Sequence, residues 1–131
     1  DVREGPKNGN PSLGLVFGGT AIFTAADEIV GNELWITDGV TATLLVDARP
    51  GTGGSVANNL VAIGPSEMWY TGNDGINGTE PWRTDLTAAG TTMIQDINPF
   101  GPSYGGATVG ANGVVYFAAT DGVHGFELWR Y

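Results

Sequence analysis

With 131 residues and a mass of 13.6 kDa, the chain is long enough for one domain and too short for two ordinary domains. Glycine contributes 22 residues, more than twice its usual share, and hydrophobic residues reach 41%, which excludes a disordered linker and predicts short elements with frequent turns. Fourteen acidic and five basic residues give a net charge of −9, so nucleic acid is not expected as a partner; no apolar run approaches the roughly 18 residues of a membrane-spanning helix, and the absence of cysteine excludes disulfides and thiolate chemistry.

In chain order, the predicted elements are short apolar strands rich in β-branched and aromatic residues. The first group covers residues 13–17, 21–25, 33–38 and 43–48, and the second covers 60–63, 68–72, 80–85 and 91–97. The third group covers 107–111 and 115–119 and ends with a strand that reaches the last residue. Tight turns are predicted at Gly18-Gly19, Pro65-Ser66 and Asn112-Gly113. No window has a helical period, so essentially no helix is expected.

A repeat of 47 residues organises these strands. The segment 27–35 recurs at 74–82 and at 121–129, with Asp, Gly, Glu and Trp in register and an apolar residue two places after each Asp. The repeats are placed at about 1–48, 49–97 and 98–131, the last of them incomplete. Together they form a single repeat domain.

Four antiparallel strands in about 47 residues match one blade of a β-propeller, so the predicted fold class is all-β with nearly three propeller blades. A β-solenoid is the alternative, although its coils usually repeat at a shorter period. Propellers have about 4 to 8 blades. Because three blades cannot close a ring, either the chain is a segment of a longer propeller or several copies assemble. In the second case residues 1–3, which align with 47–49 and 96–98, would complete a neighbour's blade.

The segment Glu33-Leu34-Trp35-Ile36-Thr37-Asp38-Gly39 resembles the ELWxxDGT repeat of large secreted or surface-exposed bacterial proteins. Residues 120–129 and 84–91 supply the rest of that pattern, while Pro81, Leu86 and residues 40–42 depart from it. The resemblance implies propeller-type blades, a secreted or cell-surface location and no catalytic activity. The turn also resembles the Asp-box of sialidase-type propellers, which is a folding element.

The recurring acids have two interpretations. In the structural one, each aspartate accepts hydrogen bonds from its own turn and the glycine four residues later takes a positive φ. In the other, the aspartates and glutamates form an oxygen site for calcium. The candidate metal ligands are Asp27, Asp74, Asp121, Glu33, Glu80 and Glu127.

The recurring tryptophans, Trp35, Trp82 and Trp129, also have two interpretations. They pack between blades, or they form a sugar-stacking platform to which the glutamates, Glu33, Glu80 and Glu127, contribute hydrogen bonds. Trp69 lies outside this column and is expected to pack within its own sheet. His124, the single histidine, is expected to be an exposed loop residue.

These observations predict a non-catalytic extracellular binding or scaffold module at a bacterial cell surface, with a protein, a glycan or further copies of the chain as its partner. A carbohydrate-binding lectin, calcium-assisted and assembled from several chains, is the first alternative. A fragment of a glycan-processing enzyme is the second. Recurrence argues against it, because catalysis needs one asymmetric set of groups, whereas these acids occur in every repeat.

Overall fold

The computed structural model describes residues 2, 8–55 and 57–131, which form eleven β-strands in three antiparallel sheets. The first sheet contains β1 (Ser12–Phe17), β2 (Thr20–Asp27), β3 (Gly31–Thr37) and β4 (Ala42–Val46). The second contains β5 (Asn58–Ala62), β6 (Met68–Asn73), β7 (Thr79–Thr84) and β8 (Thr92–Met93). The third contains β9 (Tyr104–Ala111), β10 (Val114–Thr120) and β11 (Phe126–Arg130).

The predicted all-β class is confirmed. No helix occurs among the described residues, so none there could cross a membrane. Each strand pairs with the next one along the chain, and this order recurs in every sheet. The predicted alignment of residues 1–3 falls outside the described residues except for Val2.

Two hairpin turns follow directly from glycine and asparagine chemistry. Gly18 and Gly19 have φ values of 56° and 84°, and Asn112 and Gly113 have values of 53° and 76°. Two successive positive φ values define the type I′ turn, whose twist matches that of the flanking strands. The predicted turns at Gly18-Gly19 and Asn112-Gly113 are therefore confirmed. At the predicted Pro65-Ser66 turn, between β5 and β6, the Ile63 N–H donates to the Glu67 carbonyl at 3.0 Å.

The fourth strand of the second sheet is much shorter than predicted. A strand was expected over residues 91–97, but β8 contains only Thr92 and Met93. The carbonyl of Pro81 accepts a bond from the N–H of Ile94 at 2.8 Å, so this edge of Pro81 faces the fourth strand. Proline has no N–H to return the bond, and regular pairing ends there.

The core lies between the sheets. Ile22 and Leu34 of the first sheet pack with Tyr70 and Trp82 of the second. Trp69, on the other side of the second sheet, packs with Val115, Phe117 and Ala119 of the third. The second sheet is thus held between the first and the third.

Trp69 does not pack where the sequence predicted. Its ring centroid lies 5.0 Å from that of Phe117 and 6.4 Å from that of Tyr104, both in the third sheet. The prediction that Trp69 packs within its own sheet was wrong. Neighbouring residues of a strand point to opposite faces, so Trp69 and Tyr70 fill different interfaces.

Candidate functional site

The recurring aspartates lie in equivalent turns between the second and third strands of each sheet. In each turn Oδ1 accepts hydrogen bonds from the backbone N–H groups two and three residues later. These distances are 2.8 and 2.7 Å at Asp27, and 2.9 and 2.8 Å at both Asp74 and Asp121. The closing glycines have φ values of 72°, 84° and 78° at Gly31, Gly78 and Gly125. The structural interpretation of the aspartates is therefore confirmed.

These hydrogen bonds stabilise the ionised aspartates. Burial of Asp74 opposes its charge, but the N–H groups of Asn77 and Ile76 outweigh burial and lower its pKa. At Asp121 the largest effect comes from His124, whose Nδ1 lies 2.7 Å from Oδ2, and the pKa of Asp121 falls far below its usual range. The same contact raises the pKa of His124. The His124 side chain is 72% exposed, which confirms the prediction of an exposed loop residue.

Glu33 lies in the core and is fully buried. Its Oε2 accepts hydrogen bonds from the Ala48 N–H group at 3.3 Å and from the Ser55 hydroxyl. Burial raises the pKa of Glu33, against the opposing effect of these hydrogen bonds. Both partners belong to the segment that leads to the second sheet, so this carboxylate holds that segment against the first sheet.

Glu80 repeats this arrangement in the second sheet. It is fully buried, and it accepts hydrogen bonds from the N–H groups of Ile97 and Ser103, each at 3.0 Å. Burial again raises its pKa, with the hydrogen bonds opposing. Glu127 differs, because its side chain is exposed. The same sequence position is therefore buried in two repeats and open in the third.

The Tyr70 hydroxyl is a second buried polar group, and it is affected by the charge of Glu33. Tyr70 is 1% exposed, and burial, assisted by the charge of Glu33, raises its pKa well above the usual value. Among the described residues neither Oε1 of Glu33 nor the Tyr70 hydroxyl has a hydrogen-bond partner. An unsatisfied acceptor adds to the cost of ionising Glu33 inside the protein.

The recurring tryptophans lie in the core clusters. Trp35 and Trp82 are each 8% exposed, and Trp129 is partly buried against the second sheet. The indole N–H groups of Trp35 and Trp129 donate to the carbonyls of Ala25 and Ala119, both at 3.0 Å. Trp82 and Trp129 lie in clusters that span two sheets, which matches packing between sheets. Trp35 does not, because it packs with residues of its own sheet and with Val2. Sugar stacking needs an exposed ring face, and Trp35 and Trp82 present little of one.

The recurring aspartates and the recurring glutamates bind different parts of the chain. The aspartates bind their own turns, whereas Glu33 and Glu80 bind the segments that connect the sheets. Among the described residues no group of three or more His, Cys, Asp or Glu side chains is arranged to hold a metal ion. Calcium prefers six to eight oxygen ligands, so the turns and the glutamates do not combine into one calcium site here.

An exposed apolar side chain occupies the tip of every aspartate turn. Ile29, Ile76 and Val123 are 78%, 87% and 71% exposed. The sequence shows that an apolar residue recurs at this position, but a recurring apolar residue is ordinarily assigned to the core. The turn position, between the Asp and the Gly, is the signal that could have placed it at the surface.

A polar groove lies between the first and second sheets. It encloses about 240 Å³ and is lined by Ser12, Gly14, Thr24, Ala57, Asn58, Asn59 and Leu60. The Asn59 side chain donates to the Thr71 hydroxyl at 3.1 Å, so one wall of the groove is fixed. The lining carries hydroxyl and amide groups and no ionisable side chain, and sequence analysis did not identify it.

Comparison with known proteins adds no family assignment. No family model, no curated protein and no solved structure matches this chain. The functional conclusion therefore depends on the residues and contacts described above.

Proposed function

We propose that this chain is a non-catalytic extracellular binding or scaffold module whose sheets are arranged as propeller blades. Its recurring aspartates and buried glutamates stabilise the fold. The tips of its aspartate turns form the binding surface. The sequence resemblance to the ELWxxDGT repeat and the diffuse acidic charge support a location at a bacterial cell surface. The partner is a protein or a glycan at that surface.

One observation carries this proposal: the recurring apolar residue at positions 29, 76 and 123 is exposed in all three repeats. The turn around it is built by the aspartate and the glycine, so folding does not explain why the tip is apolar. A single exposed apolar residue is ordinary on a protein surface, so we infer the interaction surface from the recurrence of this residue in equivalent turns. The three tips would give one partner several equal contacts.

The test uses a triple variant, Ile29→Ser with Ile76→Ser and Val123→Ser. Labelled wild-type chain is incubated with purified peptidoglycan, with bacterial envelope preparations and with soluble polysaccharides. We expect saturable binding to at least one of them, weakened at least ~10-fold in the triple variant, because each tip loses buried apolar area.

The matched control is Val40→Ser, since Val40 is 88% exposed but lies in a different turn. It should bind like the wild type. Absence of binding to every preparation, or equal binding by the triple variant, would remove the proposal. A panel of glycosides and esters should show no turnover, and turnover would restore the enzyme alternative.

Glycan binding is the second candidate, and the groove between the first and second sheets supports it. Hydroxyl and amide groups are the usual hydrogen-bond partners of sugar hydroxyls. Ser12→Tyr fills the groove from its exposed rim. A glycan array that gives signal with the wild type and none with Ser12→Tyr would support this candidate, and silence across the array would exclude it.

A further inference from the structure

Two acidic side chains lie opposite each other where β3 begins and β4 ends. Leu34 of β3 pairs with Val46 of β4, and continuing this antiparallel register places Glu33 opposite Asp47. Side chains directly opposite each other on such a pair have Cβ atoms about 4.5–5.5 Å apart. Two carboxyl groups therefore meet where the first sheet joins the segment that leads to the second.

The hydrogen bonds of this pair leave one oxygen on each side chain without a partner. Oε2 of Glu33 accepts bonds from the Ala48 N–H group at 3.3 Å and from the Ser55 hydroxyl. Oε1 of Glu33 and Oδ1 of Asp47 are both buried, and neither has a hydrogen-bond partner among the residues that the structure describes. Glu33 is fully buried, so two facing acceptors without a donor are a costly arrangement.

The other groups that face Glu33 do not offset a negative charge. The titratable groups around it are Asp47, beside it in the first sheet, and Tyr70 of β6 in the second. Burial raises the pKa of Glu33, and the charge of Asp47 raises it further, against the opposing hydrogen bonds. The Tyr70 hydroxyl is buried without a hydrogen-bond partner in the described part of the chain, so it does not bond to Oε1. An ionised Glu33 would therefore face a second carboxylate with no donor between them.

We propose that Glu33 and Asp47 share one proton, which lies on Oε1 of Glu33 and is donated to Oδ1 of Asp47. One proton satisfies both unpartnered oxygens and leaves Oε2 free to accept from Ala48 and Ser55. When two carboxyl groups share a site, the proton of one of them is held much more tightly than usual. The pair then carries one negative charge instead of two.

The second sheet contains the equivalent pair, but its glutamate is bonded differently. Asp96 takes the place of Asp47, and its Oδ1 is also buried with no partner among the described residues. Both oxygens of Glu80, however, accept a backbone N–H, one from Ser103 and one from Ile97. A donor already reaches each oxygen of Glu80, so a shared proton is needed only in the first sheet.

The shared proton makes the joint between the first two sheets sensitive to pH. The two donors to Glu33, Ala48 and Ser55, lie in the segment that connects these sheets. The Ser55 carbonyl also accepts a bond from the Asn73 N–H of the second sheet at 3.0 Å. When the pH rises, the proton leaves to the solvent, and repulsion between the two carboxylates moves Asp47 and this segment away from β3. The joint is therefore closed at mildly acidic pH and loosened at alkaline pH.

The pH dependence of unfolding tests the pair. Above the ordinary glutamate pKa of 4.5, a proton bound only by the folded state lowers the folded-to-unfolded ratio about tenfold per pH unit, until the pH passes the folded-state pKa. Glu33→Gln and Asp47→Asn should each abolish this contribution, because an amide N–H takes the place of the proton. The double variant should be no flatter than either single variant. Urea titrations between about pH 5 and pH 8 measure these slopes.

The matched control is Asp38→Asn, at an exposed aspartate whose turn N–H groups lower its pKa. Asp38 is ionised throughout this pH range, so the slope should not change. If burial of Glu33 were the whole cause, Asp47→Asn would keep most of the slope that Glu33→Gln removes. A retained slope in Asp47→Asn, or additive losses in the double variant, would overturn the inference.

Tyr70→Phe tests the other neighbour of Glu33. It should retain the slope, and its loss would overturn the inference by showing that the tyrosine hydroxyl is the partner of Oε1. Infrared difference spectra give a readout that does not depend on unfolding. At about pH 6.5, where ordinary carboxyl groups are almost fully ionised, the C=O stretch of a protonated carboxyl group should be present in the wild type and absent in Glu33→Gln and Asp47→Asn. A wild type without this band would also overturn the inference.

Discussion

Gly31→Ala tests how the sheets are joined, and Gly125→Ala is its matched control. Both glycines close the same turn, with φ values of 72° and 78°. A Cβ on Gly31 would lie 2.6 Å from the Thr52 oxygen and 2.7 Å from the Gly54 nitrogen, whereas a Cβ on Gly125 would lie in open space. The pair therefore separates backbone strain from collision with residues 52–54, in the segment that connects the first and second sheets.

The two variants should therefore lose different amounts of free energy of unfolding. Alanine in the left-handed region costs about 1–2 kcal/mol, which applies to both variants. Collision with backbone atoms that cannot move independently adds about 1–3 kcal/mol for Gly31→Ala. We expect free energies of unfolding lower by about 2–5 kcal/mol for Gly31→Ala and about 1–2 kcal/mol for Gly125→Ala.

Urea titration followed by tryptophan fluorescence measures both losses. With an m-value of about 2 kcal/mol per molar, the midpoint should fall by about 1–2.5 M for Gly31→Ala and by about 0.5–1 M for Gly125→Ala. Equal losses would refute the close approach of residues 52–54 to the turn at Gly31.

Three further outcomes are expected. Asp74→Ala removes the acceptor of two turn N–H groups and should lower the free energy of unfolding by about 1–2 kcal/mol in a urea titration; no loss would contradict the structural role of the turn. Burial raises the pKa of Glu33 and Glu80, so their stabilising contribution is complete below the unfolded-state pKa and is lost as the pH rises through the folded-state values. The melting temperature should therefore fall as the pH rises above about 4.5, the ordinary glutamate pKa. Glu80→Gln should flatten this slope more than Glu67→Gln, at a partly exposed position, does; equal slopes would speak against burial as the cause. Excess chelator should leave the melting temperature unchanged, because turn N–H groups already occupy Oδ1 of Asp74, and a fall would restore calcium as a ligand.

The parts of the fold that depend on local chemistry could be predicted from the sequence. Asn112-Gly113 predicts a type I′ turn because both residues accept a positive φ. Asp74 and Gly78 predict their turn because the hydrogen bonds span only two and three residues. Each of these features is contained within a few neighbouring residues.

The parts that depend on distant contacts could not be predicted. Glu80 binds Ser103, 23 residues later, and only the packed structure shows that this carboxylate is buried. The face taken by Trp69 depends on which side of its strand meets the third sheet. The short length of β8 could have been predicted from Pro81, because proline lacks the N–H that a longer fourth strand would need.

The turn that joins the third and fourth strands absorbs changes in length. Glu33 and Ala48 are 15 residues apart, whereas Glu80 and Ile97, which make the equivalent hydrogen bond, are 17 apart. β7 and β8 are joined by a longer exposed turn that includes Ala88. An epitope or a fluorescent reporter could therefore be inserted beside Ala88 while the sheets keep their spacing. This turn is thus a suitable attachment site that leaves the sheets unchanged.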